Sequence, residues 1–486
     1  MVRCCDMRTF TRLTTVSATA AITLALAASA SAAAPTVVKV GSLPGTPKKF
    51  NKVFITKYGS PSAKKVLLLI PGTNGGAENF SIVGPELAKK VPGLQVWAMD
   101  RREQALEDNS MMVKALSGKA TPKQALDYYL GWVTDKKITK HFRPLPMADY
   151  AFMKNWGMKM QLEDARTVIL QAKKAGKTVI LGGHSLGASM AAAYATWDFN
   201  GKAGYKDIAG IVAIDGGLAG TFDSTDTKKA AEDSLKALNV PTAASPEPKP
   251  QGPWLNLLGV RGFSWVTGPF AQIGALAAMK DPSGASILQN FPLLPKTLKS
   301  DYATTNRGAL GYAFDNDTSP ELLSLIQVRA GNIAPPGAAL RDWQNGEVTP
   351  IENVIKGFGG DKYGTNGVDW YYPTRLNVDT NGASAILCKS EAAKVLGLRL
   401  CHLADVNIPY YAFQTSLTAM RDGVVRDGVV NGAKNFAARS KVPASKLVIV
   451  HGEDKNSHLD PVLAAPRTND FIKTVIPFLR DKIKTR

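Results

Sequence analysis

Residues 177–194, KTVILGGHSLGASMAAAY, decide the fold that we predict for this chain. The stretch opens with an apolar, β-branched run (TVIL) typical of a buried strand, and it ends with small residues that favour a helix packed closely on a sheet. Between them lies a G-x-S-x-G turn in which Gly183 and Gly187 flank Ser185 at equal spacing. Because glycine has no Cβ atom, the spacing permits a sharp change from strand to helix and exposes the serine oxygen at the sheet edge.

Other segments repeat this alternation of strands and helices. Continuous apolar runs predict strands that are buried on both faces, and residues 157–176 have the apolar spacing of a helix ending at Gly176. Segments 36–43 and 52–59 alternate instead, which predicts antiparallel edge strands. The sequence therefore predicts a mostly parallel sheet covered by helices on both faces. The remaining predicted strands are 66–70, 94–102, 207–217, 407–417 and 446–454.

The chain resembles the α/β-hydrolase superfamily. The resemblance is carried by the strand–GHSLGA–helix unit and by the loop PGTNGG at residues 71–76, and it covers about residues 36–217 and 407–486. It implies an α/β-hydrolase fold in which residues 35–217 and 407–486 form the core. Residues 218–406, called the insertion below, would form a large cap inserted after the sixth strand.

The insertion contains the most apolar stretch of the chain after the N-terminal segment, at residues 253–280. Arg261, several glycines and Pro269 make this stretch a poor membrane span. We interpret its aromatic residues as candidate walls of an acyl pocket, and the alternative is that they fill the cap's own core. These aromatic residues are Trp254, Phe263, Trp265 and Phe270.

The resemblance also implies a catalytic triad. A serine hydroxyl is a poor nucleophile unless a base takes its proton and an acid orients that base. In this superfamily the chain order is serine, acid, histidine, which implies Ser185 as the nucleophile and His458, in the segment DKNSHLDP, as the base. Asp422, in the loop after the preceding strand, is the predicted acid. The acids that stay open as alternatives are Asp427, Asp215 and Asp454.

An acyl-transfer site also needs amide donors for the oxyanion that forms on the carbonyl carbon. Leu186 follows the nucleophile directly, so its N–H is the first predicted donor. The second is predicted in the PGTNGG loop, at Thr73 or next at Asn74, where the neighbouring glycines allow a close approach.

Residues 1–34 are predicted to be a signal peptide. Arginines precede a short apolar run at 16–30, and small residues that suit cleavage follow it. The predicted location is therefore secreted or periplasmic. Cys388 and Cys401 are the only cysteines after this segment, which predicts a disulfide, with two free thiols as the alternative.

The charge of the chain is strongly basic. The net charge is +19, and loss of residues 1–34 removes three Arg and one Asp to leave +17. This charge favours association with anionic cell surfaces. The lysines are spread along the chain and no nucleic-acid motif is present, so we expect no nucleic-acid partner. We also expect no cofactor, no metal and no transmembrane segment after the signal peptide.

Taken together, these features predict an exported serine hydrolase that cleaves carboxylic esters, small or lipid, through an acyl-enzyme. A peptidase or an acyltransferase could use the same triad. A protein of a different class, which binds anionic surfaces on a hydrolase scaffold without catalysis, is the further alternative.

Overall fold

Eight strands form one sheet in this computed structural model, which describes residues 34–218, 227–238, 253–260, 263, 265–346, 348–383, 388–421 and 423–484. The predicted signal peptide therefore lies outside the described residues, apart from Ala34. The strands are β1 (Thr36–Lys39), β2 (Lys52–Tyr58), β3 (Lys65–Ile70), β4 (Leu94–Asp100), β5 (Thr178–His184), β6 (Ile211–Ile214), β7 (Tyr410–Gln414) and β8 (Leu447–His451).

The order of the strands across the sheet is β1-β2-β4-β3-β5-β6-β7-β8. β2 runs antiparallel to both β1 and β4, whereas the other neighbours are parallel. In the central ladder, Leu68 of β3 lies opposite Leu181 of β5, and both side chains are fully buried. Strands buried on both faces explain the continuous apolar runs, so the predicted parallel sheet with an antiparallel edge is confirmed.

Helices cover the sheet and fill the insertion. They are α1 (Val83–Lys90), α2 (Ser110–Leu116), α3 (Pro122–Tyr129), α4 (Met158–Lys174), α5 (Leu186–Thr196), α6 (Lys228–Ala237), α7 (Thr267–Lys280), α8 (Asn306–Phe314), α9 (Ile351–Gly359), α10 (Thr374–Ala383), α11 (Glu391–Leu396), α12 (Ser416–Ala419), α13 (Gly428–Ala438), α14 (Asp460–Leu463) and α15 (Asp470–Pro477). No helix in the described ranges is long and apolar enough to cross a membrane.

The two helices around β5 differ in burial. α4 buries one face, with Leu162 and Ile169 in the core, and Gly176 at φ 71° follows its end. α5 is buried along its whole length, since it packs on β5 and β6 and also contacts α4 and, from the insertion, α10. Its small residues, among them Ala191 and Ala192, allow this close packing on both sides.

The insertion leaves the sheet after β6 and returns at β7. It includes a short hairpin, Gly331–Ile333 with Trp343–Asn345, and the predicted disulfide between Cys388 and Cys401, whose Cα atoms are 4.9 Å apart. Its described residues belong to the same compact unit as the sheet. A second apolar cluster joins residues of the insertion to residues 103–156.

Candidate active site

Ser185 connects β5 to α5 with a backbone conformation that few side chains adopt, at φ 54° and ψ −120°. Close backbone contacts surround this turn. A Cβ atom on Gly183 would lie 2.3 Å from the carbonyl carbon of Gly187, and one on Gly187 would lie 1.9 Å from the oxygen of Ile70. A Cβ atom on Gly216, after β6, would likewise lie 2.1 Å from the carbonyl oxygen of Ser185. The glycines of the motif are therefore required by packing, and strain of this kind is typical of functional sites.

Ser185 is partly exposed on a cavity with a volume of about 940 Å³. The cavity lies at the carboxyl ends of the parallel strands, and the predicted residues Thr73, Leu186 and His458 line it with Ser185. The insertion supplies part of the wall, which means that the site is shared between the sheet and the insertion. The lining residues from the insertion are Ser324, Leu325, Asn377 and Thr380.

The aromatic residues predicted as walls occupy other places. Trp254 packs edge-on against Tyr371 at 5.1 Å between ring centroids, and Trp265 packs against Phe142 at 5.0 Å. Within the described part of the chain, neither these residues nor Phe263 line the cavity of Ser185. The prediction is wrong for them because their large apolar surfaces fill a core between the insertion and residues 103–156.

His458 hydrogen-bonds to an acid from a different loop. Its Nδ1 atom lies 2.5 Å from Oδ2 of Asp215, and both side chains are buried. Donation from Nδ1–H leaves Nε2 as the acceptor of the neutral ring, which is the tautomer that a general base requires. Asp215 directly follows β6 and has a positive φ of 46°, which turns its carboxylate towards the cavity.

Asp215 is held by donors from the loop after β7. The N–H of Thr415 donates to Oδ1 over 2.8 Å, and the hydroxyls of Thr415 and Thr418 also donate to the carboxylate. Burial alone would raise the pKa of Asp215. The hydrogen bond and charge of His458, with the two hydroxyls, outweigh burial and hold that pKa below its usual value. The carboxylate is therefore ionised and fixed in orientation.

The other acids differ in position. Asp422, the acid favoured by the sequence, lies outside the described residues. Asp427 accepts a hydrogen bond of 2.9 Å from the side-chain amide of Gln414, and Asp454 is exposed on the surface. Among these acids in the described ranges, Asp215 is the partner of His458.

Two of the predicted oxyanion donors, Leu186 and Thr73, line the same cavity. Leu186 is the first residue of α5, so its N–H has no acceptor within the helix. Thr73 lies in the loop after β3 and lines the cavity with Leu186. Asn74 has a φ of 52° and lines a smaller space bounded by Ser185 and His458, but not this cavity. Its side-chain amide donates to the oxygen of Asp369 over 3.1 Å. Thr73 lines both spaces, so it is better placed than Asn74 to donate an N–H to a group in the cavity.

Arg101 was not among the residues predicted from the sequence. It holds the loop at residues 71–76 in a fixed shape. Its buried guanidinium donates to the carbonyl oxygens of Pro71, Gly72 and Gly75 over 3.0 to 3.1 Å. It also pairs with the buried carboxylate of Asp369 in the insertion. Burial raises the pKa of Asp369 to about 7 although the charge of Arg101 lowers it. The available sequence signal was the pair Arg101-Arg102 directly after a buried strand, where charged residues need partners.

His184, the residue before Ser185, supports the loop that carries His458. Its Nε2 donates to the carbonyl oxygen of His458 over 2.8 Å, and the two ring centroids are 4.4 Å apart. Burial, together with the charge that His458 can carry, lowers the pKa of His184 to about 3. The ring therefore stays neutral and keeps its donor.

The match to a protein-family model agrees with this architecture. Residues 65–197 match the family model described as the alpha/beta hydrolase fold. No curated protein matches the chain. The chain is similar to a thermostable carboxyl esterase from Bacillus coagulans, with 12% identity over 93% of this chain and 100% of that one, at a TM-score of 0.39. It is also similar to an epoxide hydrolase from an endophytic Streptomyces, with 12% identity over 93% and 97% of the two chains, at a TM-score of 0.38.

Three findings identify the architecture: the mostly parallel sheet of eight strands, the elbow at Ser185 between β5 and α5, and the family model that matches this region. Together they show that this chain has the α/β-hydrolase fold.

Proposed function

We propose that this protein is a serine hydrolase that cleaves carboxylic esters through an acyl-enzyme, with Ser185, His458 and Asp215 as its triad. One observation carries the proposal: the buried His458–Asp215 pair lines the same cavity as the serine on the strained elbow. The acid is thus proposed at Asp215 rather than at Asp422.

The proposed reaction uses each group in one role. Nε2 of His458 accepts the proton of the Ser185 hydroxyl as Oγ attacks the ester carbonyl. The ionised carboxylate of Asp215 holds Nδ1–H and stabilises the imidazolium that forms. His458 then gives the proton to the leaving alcohol, and a water activated by the same ring releases the acid from Ser185.

The oxyanion of each tetrahedral intermediate needs donors that are already in place. We assign this role to the N–H groups of Leu186 and Thr73, which belong to the two loops that meet beside Ser185. Arg101 holds the second loop by three carbonyl oxygens, so the donors need not reorganise during the reaction.

Carboxylic esters are the proposed substrates because the cavity combines a serine nucleophile with contact surfaces for alkyl groups. Leu325, Leu417, Met420 and Val429 are among the apolar residues that line it. The hydrolase fold is consistent with this chemistry.

The test compares wild type with Ser185→Ala on p-nitrophenyl esters of short, medium and long acids, with aminoacyl amides as the alternative substrates. We expect the variant to lose about 10⁴-fold or more in kcat on esters. Ser189→Ala is the matched control, because the Ser189 hydroxyl also lies at the cavity but donates to the oxygen of Gly217 over 2.8 Å.

An organophosphate should label wild type and Ser189→Ala but not Ser185→Ala. Equal ester hydrolysis by wild type and Ser185→Ala would overturn the proposed nucleophile. Cleavage of aminoacyl amides in preference to esters would instead support the peptidase alternative.

We further propose that the protein acts outside the cytoplasm and associates with anionic cell surfaces. The disulfide between Cys388 and Cys401 supports an oxidising compartment, and the basic charge supports the association. N-terminal sequencing of the protein recovered from the medium or periplasm should find a chain that starts near residue 35. A protein that keeps residues 1–34 and stays in the cytoplasm would contradict export.

A further inference from the structure

A second, apolar cavity lies inside the insertion, between α7 and α8. Its walls come from these two helices, from residues 286–304 and from the turn that follows α8. The apolar residues that line it include Phe270, Leu288, Leu294, Leu310, Leu323 and Ile326. Phe270 is thus the one residue of the four predicted aromatic walls that lines a cavity described here.

Small residues on the two facing helices keep this cavity open. α7 presents Ala271, Gly274 and Ala277 to it, and α8 presents Ala309 and Ala313. Protein interiors are close-packed, and space left empty in a core reduces stability. Small side chains at these facing positions therefore indicate space that is kept for an apolar occupant.

The two side-chain amides at the cavity, those of Gln289 and Asn306, are engaged within the protein. The amide nitrogen of Gln289 donates to Ser300 and Tyr302, and its oxygen accepts from the N–H and hydroxyl of Thr304. The amide of Asn306 bonds to the N–H of Ile287 and the oxygen of Asp281. These amides are satisfied without a ligand, so the chemistry that the cavity offers is mainly apolar contact.

One short turn, residues 323–326, separates this cavity from the catalytic site. Leu323 faces the apolar cavity, and Leu325 faces the cavity of Ser185. Ile326 lines both the apolar cavity and a small space bounded by Ser185 and His458. The residue that follows the turn, Gln327, accepts a hydrogen bond of 3.0 Å from Leu459, directly after the base.

We propose that the apolar cavity binds the distal part of the acyl chain while its carbonyl carbon is held at Ser185. The acyl chain would pass Ile326, and the substrates would be esters of medium- or long-chain aliphatic acids. The inference rests on the proposed function, since the acyl group must be attached to Ser185 for its far end to reach the cavity. Each methylene that leaves water for this lining favours binding.

The test fills the cavity stepwise and measures chain-length preference. Ala271→Val and Ala271→Phe, on α7, should lower the ratio of kcat/KM for p-nitrophenyl octanoate to that for the acetate, by about tenfold or more for the larger residue. Ala313→Leu, on α8, should shift the ratio in the same direction from the opposite wall. Ile326→Ala, which widens the junction, should raise the ratio.

Ala444→Phe is the control, because Ala444 is exposed and precedes β8 at the end of the sheet away from Ser185. Thermal unfolding checks that each variant is folded, and Ala313→Leu replaces Ala271→Phe if the latter is not. A ratio that stays at the wild-type value in the folded cavity variants would overturn the acyl-chain assignment. If the proposed function itself is wrong, the Ser185→Ala variant should still hydrolyse both esters. That result is distinct from an unchanged chain-length ratio in the cavity variants.

Discussion

The sheet and the insertion contribute different things to the candidate site. The sheet supplies the groups proposed for chemistry, since Ser185, Asp215 and His458 each follow a parallel strand at its carboxyl end. The insertion supplies none of these groups. It supplies walls of the cavity and Asp369, which pairs with the guanidinium of Arg101 beside the loop at residues 71–76.

The sheet and the insertion therefore have different roles at the candidate site. The proposed reacting groups lie on loops fixed by buried ladders, so their geometry is set by the most stable part of the chain. The insertion is nevertheless tied to the loop at residues 71–76 by two hydrogen bonds between Asn74 and Asp369. The side-chain amide of Asn74 donates to the oxygen of Asp369, and the N–H of Asp369 donates to the oxygen of Asn74. Mutations in the sheet should therefore affect chemistry, whereas mutations in the insertion should affect stability, loop geometry and chain-length preference.

The largest effect is expected in the sheet, at the proposed acid. Asp215→Asn should lower kcat by about 10⁴-fold, because the amide favours the wrong tautomer of His458. Asp427→Asn is the matched control, since Asp427 bonds only to the Gln414 amide among the described side chains and should keep most of the activity. Steady-state kinetics on p-nitrophenyl acetate measures both. An inactive Asp422→Asn beside an active Asp215→Asn would return the role to the acid favoured by the sequence.

The acid that pairs with His458 could not be predicted from the sequence, although Ser185 and His458 could. The position of Ser185 follows from local glycine spacing, and the apolar runs give the strands that carry Ser185 and His458. Which acid meets His458 depends on which loops converge in space. Asp215 is 243 positions away from His458, and the donors that hold it belong to a third loop at Thr415 and Thr418. No local sequence pattern predicts that these three loops meet.

The insertion was less predictable for a related reason. Its aromatic residues were expected to line a pocket, yet Trp254 and Trp265 pack against residues of a distant segment. A sequence does not distinguish a large apolar side chain that fills a core from one that lines a pocket. Asp369 likewise gives no local sign that its partner is Arg101, 268 positions away.

The next largest effect is expected in the insertion, at this buried ion pair. Asp369→Ala should cost about 3 kcal/mol or more of unfolding free energy, because it removes one of the two buried carboxylates that pair with Arg101, the other being Glu103. It also removes an acceptor of the buried Gln104 amide. The loop carrying Thr73 should also lose its fixed shape, so kcat should fall in the protein that remains folded. Urea unfolding and kinetics at low temperature separate the two effects.

Asp405→Ala is the control for that ion pair. Asp405 pairs with Lys441 on the surface, where removal should change the unfolding free energy by about 1 kcal/mol or less. Similar losses in the two variants would show that the insertion does not support the oxyanion loop through Asp369.

A smaller effect is expected at the disulfide of the insertion. Replacement of Cys388 and Cys401 by serine should lower the unfolding free energy by about 3 kcal/mol, as expected for a closed loop of this length in the chain-entropy model. Neither cysteine lines the catalytic cavity, so kcat on the acetate should be retained at temperatures where the protein is folded. A kcat that falls with the disulfide would place the end of the insertion closer to catalysis than its contacts indicate.

The smallest effect is expected at His184, which packs against the ring of His458 and hydrogen-bonds to its backbone oxygen. His184→Phe removes the donor to the His458 carbonyl and should lower kcat by about tenfold, whereas His184→Gln can keep a donor and should lose less.

The pH dependence of the stability of the same variants tests the burial of the His184 ring. Because the pKa falls from 6.5 to about 3 on folding, the unfolded chain binds the additional proton between these values. Wild type should therefore lose stability as the pH falls below about 6.5, by up to about 1.4 kcal/mol per pH unit, and both variants should lose less. An unchanged dependence on pH would mean that His184 is protonated in the folded protein and cannot be the neutral donor that positions His458.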